Sequence, residues 1–177
     1  EFAGYFPERV EKVVLIDNIL TTGGATPRER VSINRYTMKQ SLRVLDRELP
    51  VYPDLDSLIK LVCKNTKVSP DAAAILLERG HIDVEGGVTW RTDPKLRTRT
   101  PLRLPCEQVD EIMRRSASPA LLIMAEDGEP WFHDELERRQ EHHPNLETIT
   151  LPGTHHLHLE TDTTAAVVAE VRRFLEL

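Results

Sequence analysis

The sequence predicts an α/β protein, a doubly wound sheet interrupted by a helical insertion, and three observations carry that expectation. Val13-Val14-Leu15-Ile16, Ala120-Leu121-Leu122-Ile123-Met124 and Leu146-Glu147-Thr148-Ile149-Thr150-Leu151 are short aliphatic, β-branched runs of strand length. After residue 104 such runs alternate with segments of helical periodicity, the pattern of parallel strands joined by crossover helices. Between the first run and the second, three helical patterns follow one another without a clear strand, which breaks the alternation.

Each element has a local reason. Glu1 to Tyr5 reads as the end of an amphipathic helix, closed by Pro7-Glu8-Arg9-Val10. The run through Ile16 ends on Asp17, and Thr21-Thr22-Gly23-Gly24 reads as a loop. Val31, Met38, Leu42, Leu45 and Leu49 recur at helical spacings and predict a long helix with those side chains inward. Leu55, Leu58, Ile59 and Val62 predict a second helix. A third has full punctuation: Ser69 as N-cap, Pro70 at the first helical position and Gly80 as the stop. Gly87 to Arg91 is extended, and Asp93-Pro94 marks a turn. Val109, Ile112 and Met113 mark a helix, Asp134 to His142 a charged one, and Thr164, Val168, Val171 and Leu175 the inward face of the last. The organisation expected is a core of residues 1–25 and 104–177 with a helical insertion at 26–103.

Composition removes several function classes. The chain has 177 residues, 40% hydrophobic and 29% charged, the balance of a globular domain without a membrane-spanning run. Its formal net charge of −6 opposes nucleic acid and anionic lipid, which need clustered Lys and Arg. Cys63 and Cys106 are too few for a disulfide framework and lack metal-type spacing, so reduced thiols in a cytoplasmic protein are expected. Three strands are few for so many helices, so further strands are expected to precede residue 1. An exposed sheet edge would pair with that missing N-terminal half or with a second copy, a homo-oligomer.

The chemistry concentrates in Leu151-Pro152-Gly153-Thr154-His155-His156-Leu157-His158-Leu159-Glu160, between the last strand and the last helix, at the strand end where open α/β sheets collect catalytic groups. A histidine there suits general-base work because imidazole titrates near neutral pH. Three of the seven histidines fall within residues 155–158, which also raises a zinc reading, but no Cys, Asp or Glu stands at matching ligand spacing. Histidines that cap the helix start or face solvent are the plain structural alternative.

Four segments together resemble the α/β-hydrolase superfamily, and within it the serine hydrolase-like proteins: Phe6-Pro7-Glu8-Arg9-Val10 leading into Val13 to Asp17; Trp90-Arg91-Thr92-Asp93-Pro94-Lys95-Leu96; Pro119 to Gly128; and Pro152 to Glu160. The resemblance implies the C-terminal part of a doubly wound α/β-hydrolase sheet, with residues 26–103 as a lid or cap. It selects His155 as the catalytic histidine, three residues before His158 and five before Glu160, which become supporting residues; His156 packs or lines the pocket with Trp90.

The same resemblance implies an acid in the loop after Leu121 to Met124, where Asp127 is the nearest candidate. The usual aspartate position holds Gly128, so Glu126, or Asp17 at the end of the first strand, stands as an alternative acid. No Ser, Cys or Asp lies in a G-x-S-x-G-like elbow between strand and helix, and the resemblance puts that elbow just upstream of Glu1. The expected activity is hydrolysis of an ester-type small-molecule substrate by a nucleophile–histidine–acid triad, with no cofactor and no metal; this chain alone is expected to be inactive. An aspartate nucleophile, as in haloalkane dehalogenase-like or epoxide hydrolase-like enzymes, and a non-catalytic interaction module are the competing readings.

Overall fold

The computed structural model describes residues 1–19, 26–45, 48–98, 104–128, 136 and 139–177. The chain divides into two compact units, Glu1–Gly24 with Leu104–Leu177, and Ala25–Arg103.

In the first unit a short helix α1 (Phe2–Tyr5) and a 3-10 turn at Pro7–Arg9 lead into β1 (Val13–Ile16). Helix α5 (Cys106–Arg115), β4 (Ala120–Asp127), β5 (Leu146–Thr154) and the last helix, α6 (Thr161–Leu175), complete it. The strands form a parallel sheet in the order β1-β4-β5, with Val13 opposite Ala120, and Ala120 opposite Leu146.

The alternation of side chains along β4 explains why helices cover both faces. Leu122 and Met124 point to one side and pack with Ile19 and with Met113 of α5. Leu121, Ile123 and Ala125 point to the other and pack with Leu157 and with Val167 of α6. Each of these β4 residues is buried, and every fully buried Leu or Ile side chain contributes roughly 1.5–3 kcal/mol of transfer free energy. The start of β1 is tied down as well: the Lys12 ammonium donates to the Phe174 carbonyl and the Glu176 carboxylate, both at 2.8 Å.

The second unit holds α2 (Pro27–Leu45), α3 (Leu55–Thr66) and α4 (Pro70–Gly80). The caps explain where the last two begin. Asp54 accepts from the Ser57 N–H and Ser69 from the Ala72 N–H, each satisfying a donor that the first helical turn leaves over. Leu58, Val62, Ala72, Ala73 and Leu77 are buried, so Leu58 and Val62 belong to the core of this unit.

Three expectations need correction. A strand pair, β2 (His81–Val84) and β3 (Gly87–Trp90), forms an antiparallel hairpin where only an extended piece from Gly87 was expected. The stripe on α2 is not inward: Val31 is 71% exposed, Met38 50% and Leu42 65%. Periodicity tells which side chains share a face, and tertiary packing decides whether that face is covered. On α6 the inward residues are Val167, Val171 and Phe174, while Val168 is exposed, because steps of three and four from Thr164 lead equally well to 167 or 168. The loop at Thr21 to Gly24 and most of the charged helix expected from Asp134 to His142 lie outside the described residues. No described helix is long and apolar enough to cross a membrane.

Candidate active site

Asp17 is the residue that follows β1, and it leaves the strand with a left-handed backbone, φ 45°. Its N–H still bonds the Ile123 carbonyl at 2.7 Å, but the turn carries the rest of the chain away from β4. The Ala125 N–H lies on that side of β4, two residues past Ile123, and would otherwise lose its strand partner. It donates instead to Asp17 Oδ1 at 2.8 Å. The carboxylate is fully buried, a position that costs several kcal/mol unless its oxygens are hydrogen-bonded.

The second carboxylate oxygen meets the histidine turn. Asp17 Oδ2 lies 2.7 Å from His155 Nδ1. His155 follows directly on β5 and its side chain is about one-third exposed, so one edge of the imidazole is held by a buried acid while the ring reaches the surface. An ionised carboxylate only accepts, so Nδ1 carries the proton and Nε2 is the basic nitrogen of the neutral ring. That is the tautomer a general base requires.

The turn that presents His155 is built by its neighbours. Gly153 has φ 119°, a region open to glycine, and a Cβ there would come within 3.2 Å of Leu157 Cβ and 3.1 Å of the Thr163 methyl. Leu157 is fully buried and anchors the turn in the core. The Leu157 N–H bonds the Thr154 carbonyl at 2.9 Å, and the Thr163 hydroxyl donates to the Leu157 carbonyl. Glu160 is the N-cap residue of α6 but makes no side-chain cap.

His156 packs edge-on against His155, with ring centroids 4.9 Å apart, and lies 6.1 Å from His158. Burial lowers the pKa of His156, and His155 and His158 lower it further. His158 is lowered by burial and then by His155, and its buried Nδ1 has no hydrogen-bond partner among the described residues. The three histidines stand on one turn, but among the described residues no three His, Cys, Asp or Glu side chains are placed to hold a metal ion.

The other carboxylates expected near His155 do not reach it. Glu126 and Asp127 end β4 with both side chains exposed; Asp127 pairs through its backbone with Thr154, and no hydrogen bond joins either carboxylate to His155 among the described residues. The acid that touches the histidine is Asp17, because the bulge between Ala125 and Asp127 and the turn at Asp17 bring β1, not β4, to the imidazole. Trp90 lies in the other unit, on β3, half-buried, with its indole N–H unpartnered among the described residues.

Sequence reasoning missed a histidine–serine pair. His143 Nε2 lies 3.2 Å from Ser116 Oγ, and both line a cavity of about 440 Å³ beside β1. Its hydrogen bonds rule it out as a base: Nδ1 accepts from the Asn145 N–H, which leaves Nε2 as the protonated nitrogen, donating to the serine. Burial lowers the pKa of His143, so the unfolded chain takes up a proton first as pH falls below the ordinary value of 6.5. Stability is therefore lost on acidification. Replacing His143 with Gln is expected to reduce the drop in Tm between pH 7 and pH 5, read by circular dichroism; an unchanged drop would count against it.

A parallel sheet covered by helices on both faces, with a buried acid at the end of β1 beside a histidine at the end of β5, defines the class: the chain has part of the α/β-hydrolase fold. Within that class it is similar to a serine hydrolase-like protein from Danio rerio, 27% identical over 135 residues that make up 72% of this chain and 40% of that protein. A hypothetical protein from Pseudomonas aeruginosa PAO1 is 34% identical with a TM-score of 0.82, over 96% of this chain and 60% of that one. The thioesterase domain from the curacin biosynthetic pathway shares the fold at 21% identity and a TM-score of 0.72, over 96% of this chain and 58% of that one. No protein-family model matches. The chain thus spans less than two-thirds of each of these relatives.

Proposed function

We propose that this chain supplies the histidine and the acid of a nucleophile–histidine–acid triad that hydrolyses an ester-type small-molecule substrate, with a serine nucleophile outside residues 1–177. One observation carries the reading: a fully buried carboxylate, 2.7 Å from His155 Nδ1, fixes the tautomer in which Nε2 is the base. The partial span of the relatives supports a nucleophile carried elsewhere, and so does the lack of a G-x-S-x-G segment in the sequence.

In this mechanism His155 Nε2 takes the proton of the serine hydroxyl as its oxygen attacks the substrate carbonyl. Backbone N–H groups of the completed fold hold the oxyanion. The tetrahedral species collapses, the ester C–O bond breaks, and His155 returns the proton to the departing alcohol. Water then attacks the acyl-serine with His155 again as base, releasing the acid and regenerating the serine. Asp17 keeps the imidazole oriented and stabilises the imidazolium formed in each half-reaction.

Peptide sequencing of the protein purified from its source, reading what precedes Glu1 or co-purifies with it, tests the reading. A G-x-S-x-G segment is the expected result. An aspartate at the elbow would turn the assignment to a dehalogenase- or epoxide hydrolase-like enzyme, and no elbow at all would leave a non-catalytic interaction module.

A further inference from the structure

The whole-chain charge of −6 hides an uneven distribution. Residues 25–103 hold 15 Lys and Arg against 10 Asp and Glu, a formal +5; residues 1–24 and 104–177 hold 8 against 19, a formal −11, and the two add to −6. A charge split of this size between parts of one chain is the mark of a basic part that meets an anionic surface.

Within the basic unit, α2 carries that charge beside exposed apolar side chains. The side it turns inward is centred on Thr37, which is buried, with Ile33, Ser41 and Val44 half-buried around it. At about 100° per residue, the step of a 3.6-residue turn, Val31, Met38 and Leu42 fall within an arc of about 40° on the outward side, and all three are exposed. Arg35, Arg28, Lys39 and Arg43 fill the next arc of about 80°, also exposed, and none of them forms an ion pair among the described residues. Glu29, the one acid of the helix, lies beyond that band and accepts from the Thr26 N–H at 2.9 Å and hydroxyl at 2.7 Å.

We propose that α2 docks the protein on anionic lipid: Val31, Met38 and Leu42 enter the interface, and Arg28, Arg35, Lys39 and Arg43 reach the headgroup phosphates. A basic amphipathic helix with an apolar stripe binds a bilayer surface in this way, its long cationic side chains stretching back to the charged layer. A nucleic acid would use the cations and leave the stripe in water. A second copy packed antiparallel, stripe on stripe, would bring the two cationic bands side by side. Charges more than about 8 Å from the lipid are largely screened at physiological ionic strength, so the local charge of α2 decides, not the total of the chain. The docking is independent of the triad.

The test is sedimentation of the complete protein with vesicles of phosphatidylcholine, alone or with phosphatidylserine at about one-third, anionic enough to attract a polybasic segment. The wild type is expected to bind the mixed vesicles at least about tenfold more tightly than the neutral ones. Arg35→Gln/Lys39→Gln should weaken that binding about 30-fold, and Met38→Gln/Leu42→Gln at least about tenfold. All four side chains are exposed, so circular dichroism should show wild-type helix content in both variants; where a pair fails to fold, Arg35→Gln and Leu42→Gln alone decide, each with a smaller loss. No binding, equal binding to neutral vesicles, or binding that either folded variant leaves unchanged overturns the proposal. So does tighter binding to soluble polyglutamate than to the mixed vesicles, which would make the partner an acidic polypeptide.

Discussion

Replacing Asp17 with Asn in the complete protein is expected to lower kcat/KM on an ester substrate by about 10⁴-fold, the scale seen when a triad acid becomes an amide. Asn tolerates the left-handed backbone of position 17, φ 45°, and nearly matches the aspartate in shape. The Ala125 N–H can still donate to its oxygen. The amide nitrogen then faces His155, and because it donates, Nδ1 must accept and the proton moves to Nε2. The base is lost while the fold is kept. Asp127→Asn and Glu126→Gln, whose carboxylates are exposed and do not touch His155, should change kcat/KM by no more than about threefold, the scale of an exposed surface substitution. Steady-state kinetics on the three variants separates the candidates, and a large loss at Asp127 with little at Asp17 would reverse the assignment.

His155→Ala should have the larger effect, roughly 10⁴- to 10⁶-fold in kcat, since no other group in the turn can take over the proton. His156 is the nearest imidazole, but it stands edge-on to His155, and burial and the neighbouring histidines hold its pKa down. His158 is held down in the same way. KM should move little, because the imidazole acts on the serine proton rather than on bound substrate. A variant that keeps more than about a tenth of wild-type kcat would remove His155 from the mechanism, given how much a triad histidine contributes.

Much of this is legible in the sequence. The three strands stand where aliphatic runs predict them, and α4 starts at the Ser69 cap because that side chain and Pro70 leave little alternative. The histidine turn declared itself by position, at the end of the last strand. Its acid did not. Three carboxylates lie at strand ends, and only the third dimension decides which one faces the imidazole: a positive φ at Asp17 and a bulge in β4, neither with a sequence signature. Gly128 looked like a gap in the pattern, yet it sits against the Asp17 carboxylate. The β2–β3 hairpin was half seen, because His81 to Val84 is too short for alternation to show. The α2 stripe marks the limit of periodicity, which cannot say what covers a face.

The most direct test of Asp17 and His155 as two members of a serine triad is labelling of the complete protein with a fluorophosphonate, followed by mass mapping of the adduct. One adduct is expected, on a serine outside residues 1–177, formed at least about 10³-fold more slowly in His155→Ala, since the base activates the nucleophile. An adduct whose rate does not depend on His155, or no adduct with the wild type, would contradict that assignment.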